Sequence, residues 1–130
     1  MVRERIILLS AALVTIVAGL LVRGVLDGPL AKYLGIALYG CMMFWLVALI
    51  RPRAAAWSVT FVAVTICWGV EFLQLTPMPA AINKDMPLMR LVLGEHFSWW
   101  DVPTYGVGCI IAALLHLAMV RLSRPDPARP

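Results

Sequence analysis

The stretch 94-GEHFSWWDVPTYGVG-108 joins a polar connector to the last apolar run of this chain. It concentrates acid, hydroxyl, aromatic, proline and glycine residues, whereas most of the preceding sequence consists of long apolar runs. Of the 130 residues, 62% are hydrophobic and only 14% are charged, and the mean hydropathy is +0.90. A small globule cannot bury that apolar surplus, because its ratio of surface to volume is high. The composition therefore predicts a protein whose apolar side chains face lipid.

Four apolar runs are each close to the roughly 20 residues that a helix needs to cross a bilayer. They cover residues 6–22, 33–50, 54–75 and 102–120. Asp27-Gly28-Pro29 predicts the turn between the first two, since glycine and proline interrupt helices. The fold class is therefore all-α: a polytopic membrane protein with four transmembrane helices. Its small residues should let helices approach closely at Gly35, Gly40, Gly106 and Gly108.

The connector over residues 76–100 is the only long one. Pro77 is expected to stop the third helix, because proline cannot continue a helix interior. The segment 85-DMPLMRLVLG-94 predicts a short helix between transmembrane helices 3 and 4, with Asp85 as its N-cap and Gly94 at its C-terminal end. This segment is too apolar for open water, so we expect an interfacial helix.

The distribution of lysine and arginine predicts the orientation. Seven of the eleven basic residues fall on the side that holds both termini and the second loop. The richer side faces the cytoplasm in membrane proteins, so both termini are expected to be cytoplasmic. Residues 1–122 would form the transmembrane domain and residues 123–130 a disordered cytoplasmic tail. Because the basic residues flank apolar runs instead of forming a patch, the net charge of +4 does not indicate a nucleic-acid partner.

Polar side chains from all four helices and the connector are expected at one membrane level, near the outward-facing end. Glu71 lies about 27 Å along the third helix from Arg53, and Gln74 shares its face. Asp101 and Tyr105 share a face of the last helix. An acid at this depth needs a partner, so the set predicts a polar pocket. The candidate ligand-binding residues are Arg23, Lys32, Tyr33, Glu71, Gln74, Arg90, Trp99, Asp101 and Tyr105.

A structural interpretation competes with this one at every position. Acid–base pairs near helix ends fix helix packing, and tryptophan and tyrosine anchor helices at the interface. Arg23 and Asp27 could form a local ion pair. Lys84 and Glu95 would be solvated, and His96 could join the outer site, although a surface role is favoured. For His116, a neutral histidine bonded to a carbonyl or hydroxyl is favoured over a proton relay. The three cysteines, without metal-ligand spacing, predict small buried apolar side chains and no disulfide. No nucleophile motif or metal-ligand set is present, so we expect no catalytic residue, metal or cofactor.

Four segments together resemble a known family: 32-KYLGIALYGCM-42, 71-EFLQL-75, Arg90 and 94-GEHFSWWDVPTYGVG-108. They resemble small four-span bacterial inner-membrane proteins that are catalogued as a domain of unknown function, sometimes under a YjgA-like name. The pattern is also distantly similar to VanZ-like proteins, which have an acid–glutamine step in one helix and an aspartate before the last. The resemblance implies a bacterial inner-membrane location and the same polar site, but no activity. The matching residues are Lys32, Tyr33, Gly35, Glu71, Gln74, Arg90, Gly94, Phe97, Trp99, Asp101, Tyr105 and Gly108.

The favoured hypothesis is an integral membrane protein whose outward-facing polar pocket binds an anionic or amphiphilic cell-envelope compound, such as a membrane lipid. Two alternatives stay open. The first is a transporter or an accessory subunit of a membrane complex, which would need a membrane-protein partner or a homo-oligomer. The second is an intramembrane enzyme with Glu71 or Asp101 as general base. Because no nucleophile or metal set accompanies these acids, the sequence favours a function other than catalysis.

Overall fold

The computed structural model describes residues 2–94 and 96–124 of the chain. Glu95 and the predicted tail from residue 125 onward lie outside the described residues. The elements in order are α1 (Val2–Val25), α2 (Gly28–Ile50), α3 (Ala56–Leu73), α4 (Met78–Asp85), a 3-10 turn (Pro87–Met89), α5 (Arg90–Leu93) and α6 (Asp101–Leu122). Within the described ranges no strand occurs, and α1, α2, α3 and α6 are long and apolar enough to cross a membrane. The all-α fold with four membrane-spanning helices is confirmed.

Helix α2 occupies the centre of the bundle. It packs against α1, α3 and α6, and α3 also packs against α6. The buried core between these helices includes Phe44, Ala63, Cys67 and Cys109, which are fully shielded from solvent. The outward faces carry exposed apolar side chains such as Phe61, as a lipid-facing surface requires. All three cysteines are free thiols; Cys67 and Cys109 are buried as predicted, whereas Cys41 is half-buried.

The backbones of α2 and α6 approach each other closely at two glycines. A Cβ atom added to Gly108 would overlap the backbone of Ala37, and one added to Gly40 would lie 2.6 Å from the carbonyl oxygen of Tyr105. The thiol of Cys41 donates to the Gly108 carbonyl at 3.1 Å, and that of Cys109 donates to the Gly40 carbonyl at 3.4 Å. Small residues at a helix contact allow this approach, because backbones can then meet directly.

The prediction of close helix approach is thus confirmed at Gly40 and Gly108 and wrong at the other two glycines. A Cβ atom added to Gly106 would meet nothing within 4 Å, and one added to Gly35 would meet only the Arg23 side chain, at 4.0 Å. Glycine content alone does not reveal which face of a helix meets its neighbour.

The turn between α1 and α2 is tighter than the apolar runs suggest, since α2 begins at Gly28 and not near Tyr33. Gly28 has φ +80°, a conformation that suits glycine, and lets the chain reverse at once. Pro29 follows in the first helical turn, where its missing N–H removes no helical hydrogen bond. Asp27 occupies the N-cap position, yet its side chain makes no capping hydrogen bond.

The connector contains two short helices where one was predicted. Asp85 is the last residue of α4 and not the N-cap of the next helix. The helical conformation is interrupted one residue later, at Met86. Pro77 occupies the N-cap position of α4, and α3 has already ended at Leu73. Proline is tolerated at the start of a helix, so the proline-containing segment begins a helix as readily as it ends one.

The C-terminal end of the connector helix at Gly94 is confirmed. Gly94 has φ +66° and ψ −167°, a region that essentially only glycine adopts. A Cβ atom there would also lie 2.6 Å from Nε2 of Gln74. Glycine is therefore required both by the backbone conformation and by the neighbouring side chain.

Candidate functional site

A cleft of about 310 Å³ opens at the end of the bundle that carries the α1–α2 turn and the connector, here called the connector end. Helices α1, α2, α3 and α6 and the segment after α5 all contribute to its walls. Six of the nine predicted ligand-binding residues line it. Its polar lining consists of Arg23, Asp27, Lys32, Glu71, Gln74, His96, Asp101 and Tyr105, and the remaining lining residues are Leu26, Gly28, Ala31, Ile36 and Gly94.

Glu71 is the fully buried acid of the cleft wall. Its Oε1 accepts a hydrogen bond from the backbone N–H of Ser98 at 2.8 Å, and its Oε2 accepts one from the hydroxyl of Tyr105 at 3.1 Å. Burial of an acid is costly unless such bonds compensate for the lost water. One side chain at the end of α3 therefore ties together the connector and the first turns of α6.

Lys32 and Asp101 form an ion pair of 3.1 Å between Nζ and Oδ1. Asp101 is buried, whereas the Lys32 side chain remains 48% exposed and reachable from the cleft. Asp101 is the first residue of α6, and Trp100 before it occupies the N-cap position. A carboxylate in the first turn is also favoured by the helix dipole. The pair joins the start of α2 to the start of α6.

Side chains of α2, of α4 and of the residue after α3 donate hydrogen bonds to the carbonyl groups at the C-terminal end of α5. The hydroxyl of Tyr39 donates to Val92 at 3.1 Å, Nε2 of Gln74 to Leu93 at 2.6 Å, and Nδ2 of Asn83 to Gly94 at 2.7 Å. The final carbonyls of a helix have no partner within it, so these donors complete its C-terminal end. Gln74, predicted as a ligand-binding residue, therefore also holds the connector in place.

Sequence reasoning missed Tyr39 and Asn83 as members of this polar network. Tyr39 follows Lys32 by seven positions, which places both on one face of α2, so its position could have been noticed. Asn83 lies in α4, a helix that was not predicted, and no pattern pointed to it. The polar network thus includes uncharged side chains in addition to the charged residues predicted from the sequence.

Replacing Gln74 by leucine should lower the free energy of unfolding by about 1 to 2 kcal/mol, because the Leu93 carbonyl loses its donor while side-chain volume is nearly kept. Proteolysis of the connector should also become faster. Both quantities can be measured on detergent-solubilised protein. The matched control is Thr65→Val, which removes an exposed hydrogen bond within α3 and should change neither. Equal behaviour of the two variants would contradict the role assigned to Gln74.

Three predicted ligand-binding residues lie away from the cleft. Arg90 lines an adjoining cavity of about 420 Å³, the connector cavity, which is bounded by Ala80, Asn83, Lys84, Pro87, Arg90 and His96. His96 lines both spaces, so the two cavities are neighbours. Trp99 is 70% exposed and packs against Phe97, with ring centroids 4.9 Å apart. Tyr33 presents its ring to the ammonium of Lys32 at 5.6 Å.

Arg23 and Asp27 carry opposite charges at the mouth of the cleft. Both are exposed, and the Arg23 side chain passes close to Gly35 of α2. They line the same cleft, yet the only ion pair within 4 Å among the described residues is that of Lys32 and Asp101. The structure therefore does not pair Arg23 with Asp27, and both charges face the cleft.

The opposite end of the bundle, here called the terminal end, holds a second space of about 750 Å³. Its lining includes Glu4 of α1 and Arg53 of the second loop. It also includes His116 in the second half of α6 and Arg124, which follows the end of that helix. The imidazole of His116 packs against Phe44 and Trp45, with centroid distances of 5.9 and 6.2 Å. Within the described part of the chain it makes no hydrogen bond to a carbonyl or hydroxyl, contrary to the expectation.

No metal centre is formed by the part of the chain that the structure describes: no three His, Cys, Asp or Glu side chains are grouped to hold an ion. The polar cleft is therefore a set of hydrogen-bonding and charged groups. Some of its members, such as Glu71 and Asp101, are already engaged with the protein, whereas Arg23 and Asp27 are exposed at its mouth.

The fold and the cleft define a multi-pass α-helical membrane protein with a polar site at one end of its bundle. A family described as "Protein of unknown function (DUF2809)" matches residues 25–109, which is more than half of the chain. The chain belongs to this family. No solved structure matches it. The matched region runs from the end of α1 into α6, so it contains every polar residue of the cleft except Arg23.

Proposed function

We propose that the cleft binds the polar head group of an amphiphilic cell-envelope compound. The observation that carries this proposal is that charged side chains from α1, α2 and α6 converge on one cleft. The frame of this cleft, meaning the contacts that hold its helices and connector in place, is formed by bonds within the protein. Glu71 and Asp101 are buried and hold that frame. Arg23 and the exposed part of Lys32 are reachable, and they would bind an anionic group through charge-assisted hydrogen bonds.

The rim of the cleft favours an amphiphile over a small soluble anion. Val25, Leu26 and Leu30 flank the charged turn and are 75%, 38% and 63% exposed. In a membrane these side chains would meet acyl chains, while Arg23 and Asp27 would sit at head-group level. A ligand with an apolar tail would contact both surfaces at once.

The membrane and its orientation are part of the same proposal. The resemblance to YjgA-like and VanZ-like proteins supports a bacterial inner membrane, and the arginine-rich terminal end supports cytoplasmic termini. The connector end would then face outward, toward the cell envelope. Arg90 would join the same site where a ligand extends past His96 into the connector cavity, and Trp99 would anchor the connector at the interface.

Arg23→Ala tests the proposal in a side chain that makes no hydrogen bond or ion pair with the described residues. Adding bacterial polar lipid to the purified protein in detergent should raise the Tm of the wild type, because a ligand that binds only the folded state stabilises it by mass action. The variant should lose at least half of that rise. Arg3→Ala, an exposed arginine at the terminal end, is the control and should keep the full rise. An equal rise in all three proteins would contradict lipid binding at the cleft.

One observation favours the transporter as a second candidate. Helices α1 and α6 both contribute lining residues to the cleft and to the space at the terminal end, so these two helices border cavities at opposite ends of the bundle. Such an arrangement suits a path through the bundle or through an oligomer of it. Native mass spectrometry that finds only monomers, together with no lipid or solute flux in vesicles, would exclude this candidate.

The general-base alternative receives less support from the contacts of the acids. Both oxygens of Glu71 accept hydrogen bonds from the protein, and Asp101 is paired with Lys32. These bonds assign the two acids to the frame of the cleft, so the proposal gives neither of them a catalytic role.

A further inference from the structure

The charges that line the cleft are mixed in sign, which limits the ligands that fit it. Two cations, Arg23 and Lys32, stand against three acids, Asp27, Glu71 and Asp101. Counting all five as ionised and His96 as neutral gives 2 − 3 = −1 for the described lining residues. A simple anion would meet an environment that is not positive overall. A ligand with both signs of charge would match it better.

Asp27 is the acid of the cleft that remains available. Among the described lining residues, Asp101 is paired with Lys32 and Glu71 accepts two hydrogen bonds, whereas Asp27 is exposed and unpaired. An aspartate at an N-cap position normally binds a backbone N–H of the first helical turn. Asp27 does not, although it occupies that position at the start of α2. Its carboxylate is therefore free to accept hydrogen bonds from a ligand.

We propose that the head group is zwitterionic and of the phosphoethanolamine type. This inference rests on the function proposed above. Its phosphate binds the guanidinium of Arg23, with Lys32 beside it, and its primary ammonium binds the carboxylate of Asp27. A primary ammonium donates up to three hydrogen bonds, so a carboxylate recognises it through charge-assisted bonds. Arg23 and Asp27, which face one cleft without pairing, would each gain the partner they lack.

A lipid competition measures this preference directly. Native mass spectrometry of the full-length protein in detergent would compare equimolar phosphatidylethanolamine and phosphatidylglycerol with identical acyl chains. The wild type should favour phosphatidylethanolamine by about three- to fivefold, the range expected of one exposed ion pair. Asp27→Asn should bring the ratio to one, and Asp27→Lys should reverse it. Arg23→Gln should reduce the binding of both lipids, since both carry the phosphate.

Asp85→Asn is the matched control, because Asp85 is an exposed acid of the connector that does not line the cleft. It should keep the wild-type preference. A wild type that binds phosphatidylglycerol equally or better, or an Asp27→Asn variant with an unchanged ratio, would overturn the zwitterionic head group while leaving head-group binding intact. Binding of both lipids that is unaffected by Arg23→Gln would instead overturn the proposed function itself.

Discussion

Replacing Gly108 by valine should lower the free energy of unfolding by about 3 kcal/mol or more, the upper range for overpacking a tight interior. The added side chain would overlap the backbone of Ala37, which cannot move without separating α2 from α6. That separation would also break the hydrogen bonds that Cys41 and Cys109 make across the same contact. Unfolding in mixed micelles with increasing SDS, followed by tryptophan fluorescence, measures the effect.

Gly106→Ala is the control for this experiment. It lies in the same helix, two positions away, and its added methyl group would meet nothing within 4 Å. Alanine is the better helix former, so this variant should be neutral or more stable by up to about 1 kcal/mol. If Gly108→Val unfolded like Gly106→Ala, the close contact between α2 and α6 would be wrong.

The second large effect is expected for Glu71→Ala. The change leaves the Ser98 N–H and the Tyr105 hydroxyl without their acceptor, and each buried group left unpaired costs about 1 to 3 kcal/mol. A loss of about 2 to 6 kcal/mol in the free energy of unfolding follows for the two groups together. The same SDS titration measures it, and a variant as stable as the wild type would contradict the role of Glu71 in the frame.

Two further variants separate shape from charge at this position. Glu71→Gln keeps an oxygen for Ser98 and offers an N–H to Tyr105, so it should lose less than half as much stability as Glu71→Ala. Tyr105→Phe removes one of the two bonds, and its effect should be smaller in the Glu71→Ala background than alone, because the partner is already absent. Additive effects would mean that the two side chains act independently.

The four spans could be predicted because hydropathy and length alone define a membrane helix. The contacts between these helices could not be predicted in the same way. The pairing of Gly40 with the segment around Tyr105 and Gly108 depends on the rotation and depth of two helices, and glycine spacing in each helix fixes neither. The level of Lys32 and Asp101 was predicted, but which cation joins which acid depends on the same packing.

The connector shows where local signals were ambiguous. Aspartate two positions before a proline is typical of a helix start, yet Asp85 ends α4, because the residues before it already form a helix. The missed helix changes the path of the chain, and Arg90 consequently lies in the connector cavity and not in the cleft. The sequence indicated Asp27 as a turn residue and a local partner of Arg23, but whether its carboxylate caps α2 depends on the geometry of the turn.

The most direct test of head-group binding is a crystal structure grown in a lipidic mesophase doped with bacterial polar lipid. Phosphate density is expected in the cleft within about 3 Å of the Arg23 guanidinium, with Lys32 beside it and an acyl chain along Leu26 and Leu30. A cleft that contains only water, or one that is closed by Arg23 bound to Asp27, would contradict head-group binding.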